Sequence, residues 1–410
     1  MSPSTRSASL RVRARARLSS ARRATSARCG VVAVSLSCAL PSLVGCGSDS
    51  QPETPAALDF SAFDSAVESF LADNSLSGAS LVVVERDAGI VHLKALGDFE
   101  PDRVSLIASA SKVMSVGVVM QLADQGLLDL DTPVSAYLGD WGEHKTDITL
   151  AQMLSNSAGM LGLLDNPTYG PYICQYLDSG TLSDCAKKIY TADDAADRVP
   201  PDTQFRYGGG QWQLAGGVAE VVSGKTWAEL VNDTYSVPCG LNNTGYRNHY
   251  TKGFLGGGVD AALTYPAFFQ GDLANLSETD NPSIEGGGYT TAEDYGKFLW
   301  MHLRGGVCRQ GDQDVRVLSE AAVTRMQQDR IGPAYNGSSL DPNLPGYGLG
   351  WWVSRDDASV ADPGAYGASP WLDSARGYAA IVILEGAASQ GVELREEVKP
   401  LLDAMFPLGN

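Results

Sequence analysis

Histidine, positive charge and long apolar runs are what this 410-residue chain has least of, and each scarcity sets aside a class of function. The four histidines, His92, His144, His249 and His302, are scattered, and none belongs to a metal-type spacing. No Gly-x-Ser-x-Gly elbow is present, so a zinc enzyme and a Ser-His-Asp hydrolase are both poorly supported, and neither a metal nor a cofactor is expected. Lysine and arginine number 30 against 48 aspartates and glutamates, a formal charge of −18. A surface of that sign repels nucleic acid and anionic lipid head groups. The 44% of hydrophobic and 19% of charged residues are otherwise ordinary for a soluble globular chain, long enough for one large domain or two small ones. There is no internal repeat.

What positive charge exists is gathered at the start. Residues 1 to 28 carry eight arginines and no acid, and an apolar run from Gly30 to Val44 follows, ending Leu43-Val44-Gly45-Cys46. These are the charged and apolar regions of an export signal, and the run is too short to span a bilayer comfortably. The Leu-Val-Gly-Cys ending resembles the bacterial lipobox, in which the cysteine is acylated and becomes the first residue of the mature chain; a plain secretory signal is the alternative. The expected organisation is a lipoprotein signal over residues 1–45, a polar tether over 46–57 and one folded domain over 58–410. The protein is then exported and anchored in the bacterial cell envelope through lipid on Cys46, its membrane contact coming from acyl chains rather than a basic patch. Without residues 1–45 the formal charge moves from −18 to −26, 22 Lys and Arg against 48 acids. Four cysteines beyond Cys46 remain, Cys174, Cys185, Cys239 and Cys308, which in an exported protein suggest two disulfides. Of three pairings, short loop closure favours Cys174 with Cys185 and leaves Cys239 with Cys308; free thiols are the alternative.

The spacing of Phe60, Phe63, Val67, Phe70 and Leu71 predicts an amphipathic helix over 59–73. Two β-rich runs, 79–85 and 90–96, are joined by a hairpin signal at Arg86-Asp87-Ala88-Gly89. From Asp129 to about Glu285 the pattern is mostly helical, with segments at Leu150 to Leu154, Asp193 to Ala196 and Gln213 to Val222 between Gly/Pro/Asn loops. Strand-like runs return at 348–354 and 379–384, and a helix from about 392 to 405 closes the chain. A sheet assembled from both ends of the chain, with a helical insertion between, is the natural arrangement: an α/β (α+β) fold in which an antiparallel sheet is flanked by helices beside a mostly helical lobe.

The densest chemistry lies in Ser105-Leu106-Ile107-Ala108-Ser109-Ala110-Ser111-Lys112-Val113-Met114. Ser109 and Lys112 stand three apart, and Val113, Val116, Val119 and Met120 keep a helical apolar spacing, so hydroxyl and amine share one face of a first turn running into a helix that Gly126 stops. A hydroxyl at a helix start sits near unpaired N–H groups that favour an alkoxide or oxyanion. A lysine accepts its proton only when its surroundings lower its pKa.

Around this element the chain resembles the serine β-lactamase and penicillin-binding-protein-like hydrolases, in particular the class C β-lactamase and esterase-like branch, over residues 58 to 406. The resemblance is carried by Ser109-Ala110-Ser111-Lys112 with Leu122 to Val134, by Ile148 to Gly159, by Phe205-Arg206-Tyr207-Gly208-Gly209, by Gly286-Gly287 with Thr290 to Asp294, and by Tyr347-Gly348-Leu349-Gly350-Trp351. It implies a β-lactamase/transpeptidase-like fold, Ser109 as acylated nucleophile, Lys112 as its base, and Tyr207 as the second acid/base group serving the leaving atom. Two departures bear on substrate. Gly209 stands where the family has asparagine, and the third motif falls at Asp362-Pro363-Gly364, an aspartate replacing the cation that pairs a substrate carboxylate. In that register Ser109 and Ala365 N–H groups form the oxyanion hole, and Gly209, Asp362, Gly364, Trp212 and Tyr366 border the substrate. The aromatics Tyr172, Tyr176, Tyr289 and Trp352 are further candidates for an acyl pocket. The Gly346 to Gly350 glycines read as sheet packing rather than a nucleotide loop. The expected activity is a serine hydrolase preferring neutral ester or amide substrates. The alternatives are a β-lactamase or D-alanyl-D-alanine carboxypeptidase, and a non-catalytic binding protein on the same fold.

Overall fold

The computed structural model describes residues 58–163, 165–331 and 345–409, at Val259 the backbone alone; the expected signal, Cys46 and tether lie outside them. The first helix, α1 (Ser61–Asp73), buries Phe63, Val67, Phe70 and Leu71, the side its spacing predicted. The hairpin follows: β1 (Gly78–Glu85) pairs antiparallel with β2 (Gly89–Gly97), with Glu85 opposite Gly89.

The chain then crosses into the helical lobe. Helix α2 (Lys112–Asp124) is buried almost all round, from Lys112 to Met120 and again at Leu122, because it runs through the middle of the molecule. A Thr149–Gln152 capping box starts the short α3 (Leu150–Leu154). Helix α4 (Leu182–Tyr190) is the segment sequence reading displaced: the helix expected at Asp193 to Ala196 is instead a turn. Asp194 there is an interior charge, 2.9 Å from the Lys145 amine with both side chains 2% exposed, so its place is fixed by pairing rather than by helical spacing. Helix α5 (Gly210–Ser223) packs beside α2 and α4. Helix α6 (Tyr250–Ala262) is broken at Gly258, where φ is +74°. Helix α7 (Ala292–Leu303) returns the chain to the sheet. Two disulfides staple the lobe, Cys174–Cys185 with Cα atoms 5.6 Å apart and Cys239–Cys308 at 5.1 Å, the pairing that loop length favoured.

The C-terminal strands are β3 (Gly346–Tyr347), β4 (Trp352–Val353), β5 (Val360–Ala361), β6 (Ala368–Asp373) and β7 (Tyr378–Ile383), and α8 (Ala388–Met405) ends the fold. With the hairpin they make one seven-stranded antiparallel sheet in the order β2-β1-β7-β6-β5-β4-β3, so β1 and β7, from opposite ends of the chain, are neighbours with Ser80 opposite Ile383. One face packs on α1 and α8 through Val83, Ala380, Val382, Leu394 and Val398. The other packs on α7 and the lobe through Val82, Val84, Ile381, Phe298 and Leu299. Of the strand expected over 348–354 only Trp352–Val353 forms, because the chain turns at Gly350; the neighbouring short strand precedes it at Gly346–Tyr347. Strand β6 carries Pro370, which marks a segment down as a strand by sequence, yet Pro370 pairs opposite Ile381 and its carbonyl accepts from Asp362 N–H at 3.3 Å. Among the described residues no helix is long and apolar enough to cross a membrane.

Candidate active site

The element that carries Ser109 is fixed from both sides. Ser105–Leu106 pairs with Gly288–Thr290, and Ile107 N–H donates to Gly288 O at 3.1 Å. The chain turns through a 3-10 segment, Ala108–Ser111, into α2; Ala108 has φ +45°, a conformation that non-glycine residues rarely hold without support. The support is a ring of interior hydroxyls. Tyr295 donates to Ala110 O at 2.9 Å, Tyr246 to Ser111 O at 2.8 Å, and Ser111 Oγ accepts Gly288 N–H at 2.9 Å. Ser109 thereby stands at the mouth of α2, one turn before the helix proper.

Lys112 is 1% exposed. Its amine donates to Ser109 Oγ at 3.1 Å and to the Glu285 carbonyl at 3.0 Å, and lies 3.5 Å from Glu285 Oε2. Tyr207 completes the group, its ring centre 4.6 Å from the Lys112 amine and its hydroxyl against the Ser109 and Lys112 side chains. The loop bearing Tyr207 is pinned by Leu163 N–H donating to Tyr207 O at 2.7 Å, and Trp352 of β4 stacks on the ring at 5.6 Å. The turn, the 205–209 loop and the 283–288 segment thus converge on one point, bringing Tyr207 from its separate motif to the Ser109–Lys112 pair.

Glycine at two positions decides what else is present. Gly364 passes so close to the nucleophile turn that an added Cβ would lie 2.0 Å from Ile107 O, and this puts the following residue, Ala365, in the same pocket as Ser109. Gly209 has φ +86°, and a Cβ there would meet Leu161 O at 2.6 Å, so no side chain of any kind suits it. Its N–H is not free for a substrate either, because it donates to Glu285 Oε2 at 2.9 Å.

The buried charges follow from this packing. Burial works against the Lys112 ammonium, but the facing Tyr207, Glu285 and Asp362 outweigh it and hold its pKa above the ordinary lysine value. Burial lifts the Glu285 carboxyl, with Lys112 and the Gly209 N–H pulling the other way. Burial likewise raises Tyr207, although Lys112 opposes it. Asp362 is raised well above 3.8 by burial: it is 0% exposed, and neither carboxyl oxygen has a full hydrogen bond, its nearest donor being Val113 N–H at the start of α2. A carboxyl so placed favours its protonated form, whereas Glu285, 3.5 Å from the Lys112 amine and bonded to the Gly209 N–H, is the carboxylate positioned to pair with the lysine.

The pocket in front of Ser109 is a cavity of about 20 Å³ whose charged lining residues are Lys112 and Glu285 and whose wall is Leu163, Tyr176, Tyr250, Phe254, Ala262 and Leu263. A groove of about 660 Å³ between Trp352, Pro363, Trp371 and α8 is far larger but is lined by neither Ser109 nor Lys112, so chemistry selects the smaller cavity. Several sequence expectations change here. Asp362 does not reach the pocket but lies beneath α2, a consequence of β5 and its turn entering the core. Trp212 is fully buried on α5, donating to Asn156 Oδ1 at 2.8 Å with its ring 5.5 Å from the Lys112 amine; it backs the lysine rather than bordering a substrate. Tyr366 is also interior, its hydroxyl donating to Ala262 O at 2.7 Å, so it buttresses the wall from behind. Of the aromatics singled out for the pocket only Tyr176 lines it. Glu285, Tyr250 and Phe254 went unnoticed. For Glu285 a signal existed, an acid directly before the Gly286-Gly287-Gly288 run; for the other two none did.

Comparison with known proteins identifies the family and the fold. The sequence profile of the family described as Beta-lactamase matches residues 63–399. Penicillin-binding protein 4 of Amycolatopsis lactamdurans is 27% identical over 294 residues, 68% of this chain and 71% of that protein. In solved structures the fold matches that of EstCE1, a hydrolase with promiscuous acyltransferase activity, with a TM-score of 0.64 at 21% identity over 84% of this chain and 97% of that one. The octameric penicillin-binding protein homologue from Pyrococcus abyssi matches with a TM-score of 0.63 at 18% identity, covering 85% of this chain and 78% of that one.

Proposed function

Because the chain belongs to the Beta-lactamase family, whose profile spans nearly all of its folded domain, we propose that it is a serine hydrolase that works through an acyl-enzyme on Ser109 and takes small neutral esters or amides. In this reading Ser109 Oγ attacks the carbonyl carbon, Lys112 receives the hydroxyl proton, and Tyr207 protonates the leaving oxygen or nitrogen. The Ser109 and Ala365 N–H groups receive the charge that develops on the carbonyl oxygen. Water then cleaves the ester and returns its proton to Ser109.

One observation carries the choice of substrate. The pocket wall is apolar, and the one cation among its described lining residues, Lys112, is already held by Ser109 and by Glu285. A substrate carboxylate entering there finds no free cation and meets the Glu285 anion; an uncharged acyl group meets only aromatic and aliphatic carbon. The small cavity favours short acyl chains, longer ones requiring α6, which supplies Tyr250 and Phe254, to give way. The likeness in fold to EstCE1, a hydrolase with acyltransferase activity, supports the same choice.

A second reading, β-lactamase or D-alanyl-D-alanine carboxypeptidase, has the penicillin-binding relative in its favour. It also gains from the burial of Asp362, which removes one source of repulsion. The two are separated by kcat/KM for a p-nitrophenyl short-chain ester and for a chromogenic cephalosporin on one preparation. The proposal expects the ester to lead by at least about a hundredfold, roughly 2.7 kcal/mol of selectivity; a cephalosporin turned over as well as the ester would replace it with the second reading. Envelope anchoring through Cys46 is proposed beside it, supported by the disulfides, which suit an oxidising compartment. Palmitate labelling that survives Cys46→Ser would remove it.

A further inference from the structure

We propose that Glu285 is the proton-accepting partner of Lys112, allowing the lysine to alternate between ammonium and amine. The inference rests on the serine-hydrolase reading above and deepens it.

An ammonium group has three hydrogens to place. Besides the Tyr207 hydroxyl, which keeps its own proton for the leaving atom, the Lys112 amine faces three acceptors: Ser109 Oγ at 3.1 Å, the Glu285 carbonyl at 3.0 Å and Glu285 Oε2 at 3.5 Å. As an ammonium it spends one hydrogen on each and has no lone pair for the serine proton. It becomes a base only by losing a proton, and of these three acceptors a peptide carbonyl cannot keep one and Ser109 is the group to be deprotonated. The carboxylate is the acceptor that remains. It is not placed there by chance packing. Gly208 leaves room for the carboxylate, since an added Cβ there would lie 2.5 Å from Glu285 Oε2, and the same oxygen is bound to the Gly209 N–H at 2.9 Å. The backbone around it is fixed from two helices, since Ser115 of α2 donates to Ile284 O at 2.7 Å and Gln213 of α5 accepts Ile284 N–H at 3.2 Å. The other titratable groups facing Glu285, Tyr176, Tyr207, Tyr250 and Tyr347, are phenols whose pKa burial raises, and burial pushes Asp362, which faces Lys112, toward its protonated form. The Lys112–Glu285 pair is therefore the titrating unit of the site.

Protons and bonds balance through the cycle. An N–H proton of Lys112 moves to Glu285 Oε2; the Ser109 O–H breaks and its proton goes to the freed lone pair as the Oγ–acyl bond forms. The acyl–leaving-group bond breaks, the leaving atom takes the Tyr207 proton, and Tyr207 is refilled from Glu285 through Lys112. In deacylation the attacking water loses one proton into the same chain and Ser109 Oγ regains it.

Glu285 acts through the lysine, so it is a positioning residue, and its signature is a pH profile rather than a rate alone. The experiment measures the second-order rate of Ser109 labelling by a fluorophosphonate ester from about pH 5 to about pH 9 in wild type, Glu285→Gln and Glu285→Asp. With the pair intact, activity falls on the acid side only when the carboxylate is itself protonated; with glutamine, the falling limb belongs to the lysine alone. The expected result is an acid limb moved upward by at least about one pH unit in Glu285→Gln, a roughly tenfold selective loss on the acid side. Glu285→Asp, though slower, should keep the wild-type limb. If the glutamine variant does not fold, Glu285→Ala with added formate decides: formate restores labelling and formamide does not. An unmoved limb in Glu285→Gln, a limb in Glu285→Asp that moves like that of the glutamine variant, or equal rescue by formamide overturns the inference. A wild-type protein that takes no label at any pH removes the serine-hydrolase reading instead.

Discussion

Replacing Asp362 by asparagine should stabilise the protein, and the size of the effect can be worked from its surroundings. The carboxyl is 0% exposed, its two oxygens lack full hydrogen bonds, and burial raises its pKa well above 3.8. An unfolded chain ionises that aspartate near its ordinary value, whereas burial in the fold raises its pKa and favours the protonated form. Stability contributed by the protonated form is complete below the unfolded pKa and is lost as pH rises toward the folded one. The loss amounts to about 1.4 kcal/mol for each pH unit between them. Asparagine has nearly the same shape, is neutral at every pH and escapes this loss. Chemical denaturation of wild type and Asp362→Asn at several pH values should therefore give curves that meet at the acid end and separate upward, the variant gaining at least about 1.4 kcal/mol by near-neutral pH. The ester-to-cephalosporin ratio of kcat/KM should not change, since the residue does not line the pocket. A variant destabilised at every pH would mean that Asp362 is ionised and paired to Lys112, and a changed ratio would mean that its charge reaches the substrate.

Two further outcomes follow from the site and the staples. Ser109→Ala should abolish ester turnover, and Lys112→Ala and Tyr207→Phe should each lower kcat/KM by on the order of a thousandfold, with the double variant little worse than either single one because the groups act as a unit; additive losses in steady-state kinetics would contradict this. Cys174→Ser with Cys185→Ser, opening a loop of 11 residues, should cost about 2 to 3 kcal/mol in denaturation, and Cys239→Ser with Cys308→Ser, across 69 residues, about 4; an unchanged midpoint in either would show that the bridge restrains nothing in the unfolded chain.

Much of this was legible in the sequence because it is local. The Ser109–Lys112 pair shares one turn, the hairpin announces itself by its turn residues, and α1 by its spacing. What stayed hidden depends on contacts between distant segments. Glu285 meets Lys112 across 173 positions, and its importance is visible only once Gly208 is seen to leave it room and the Gly209 N–H to hold it. Asp362 read as a residue facing the substrate because its motif does so in related sequences; the strand end that bears it turns inward beneath α2 instead. The strand Ala368–Asp373 went unread, and its Pro370 does not prevent it because a proline's carbonyl still serves the ladder. Trp212 and Tyr366 were placed at the pocket by type, yet each had an interior hydrogen-bond acceptor waiting, Asn156 and Ala262, that no spacing could disclose.

An acyl group on Ser109 is the species through which every proposed step passes. Protein mixed with a short-chain p-nitrophenyl ester, quenched in acid after one turnover and digested, should show by mass spectrometry one added acyl group on the peptide containing Ser109. The adduct should be absent in Ser109→Ala and should persist longer than wild type when Lys112 is replaced under conditions that still permit acylation. Ester turnover with no adduct at Ser109, or with the acyl group on another residue, would contradict this chemistry.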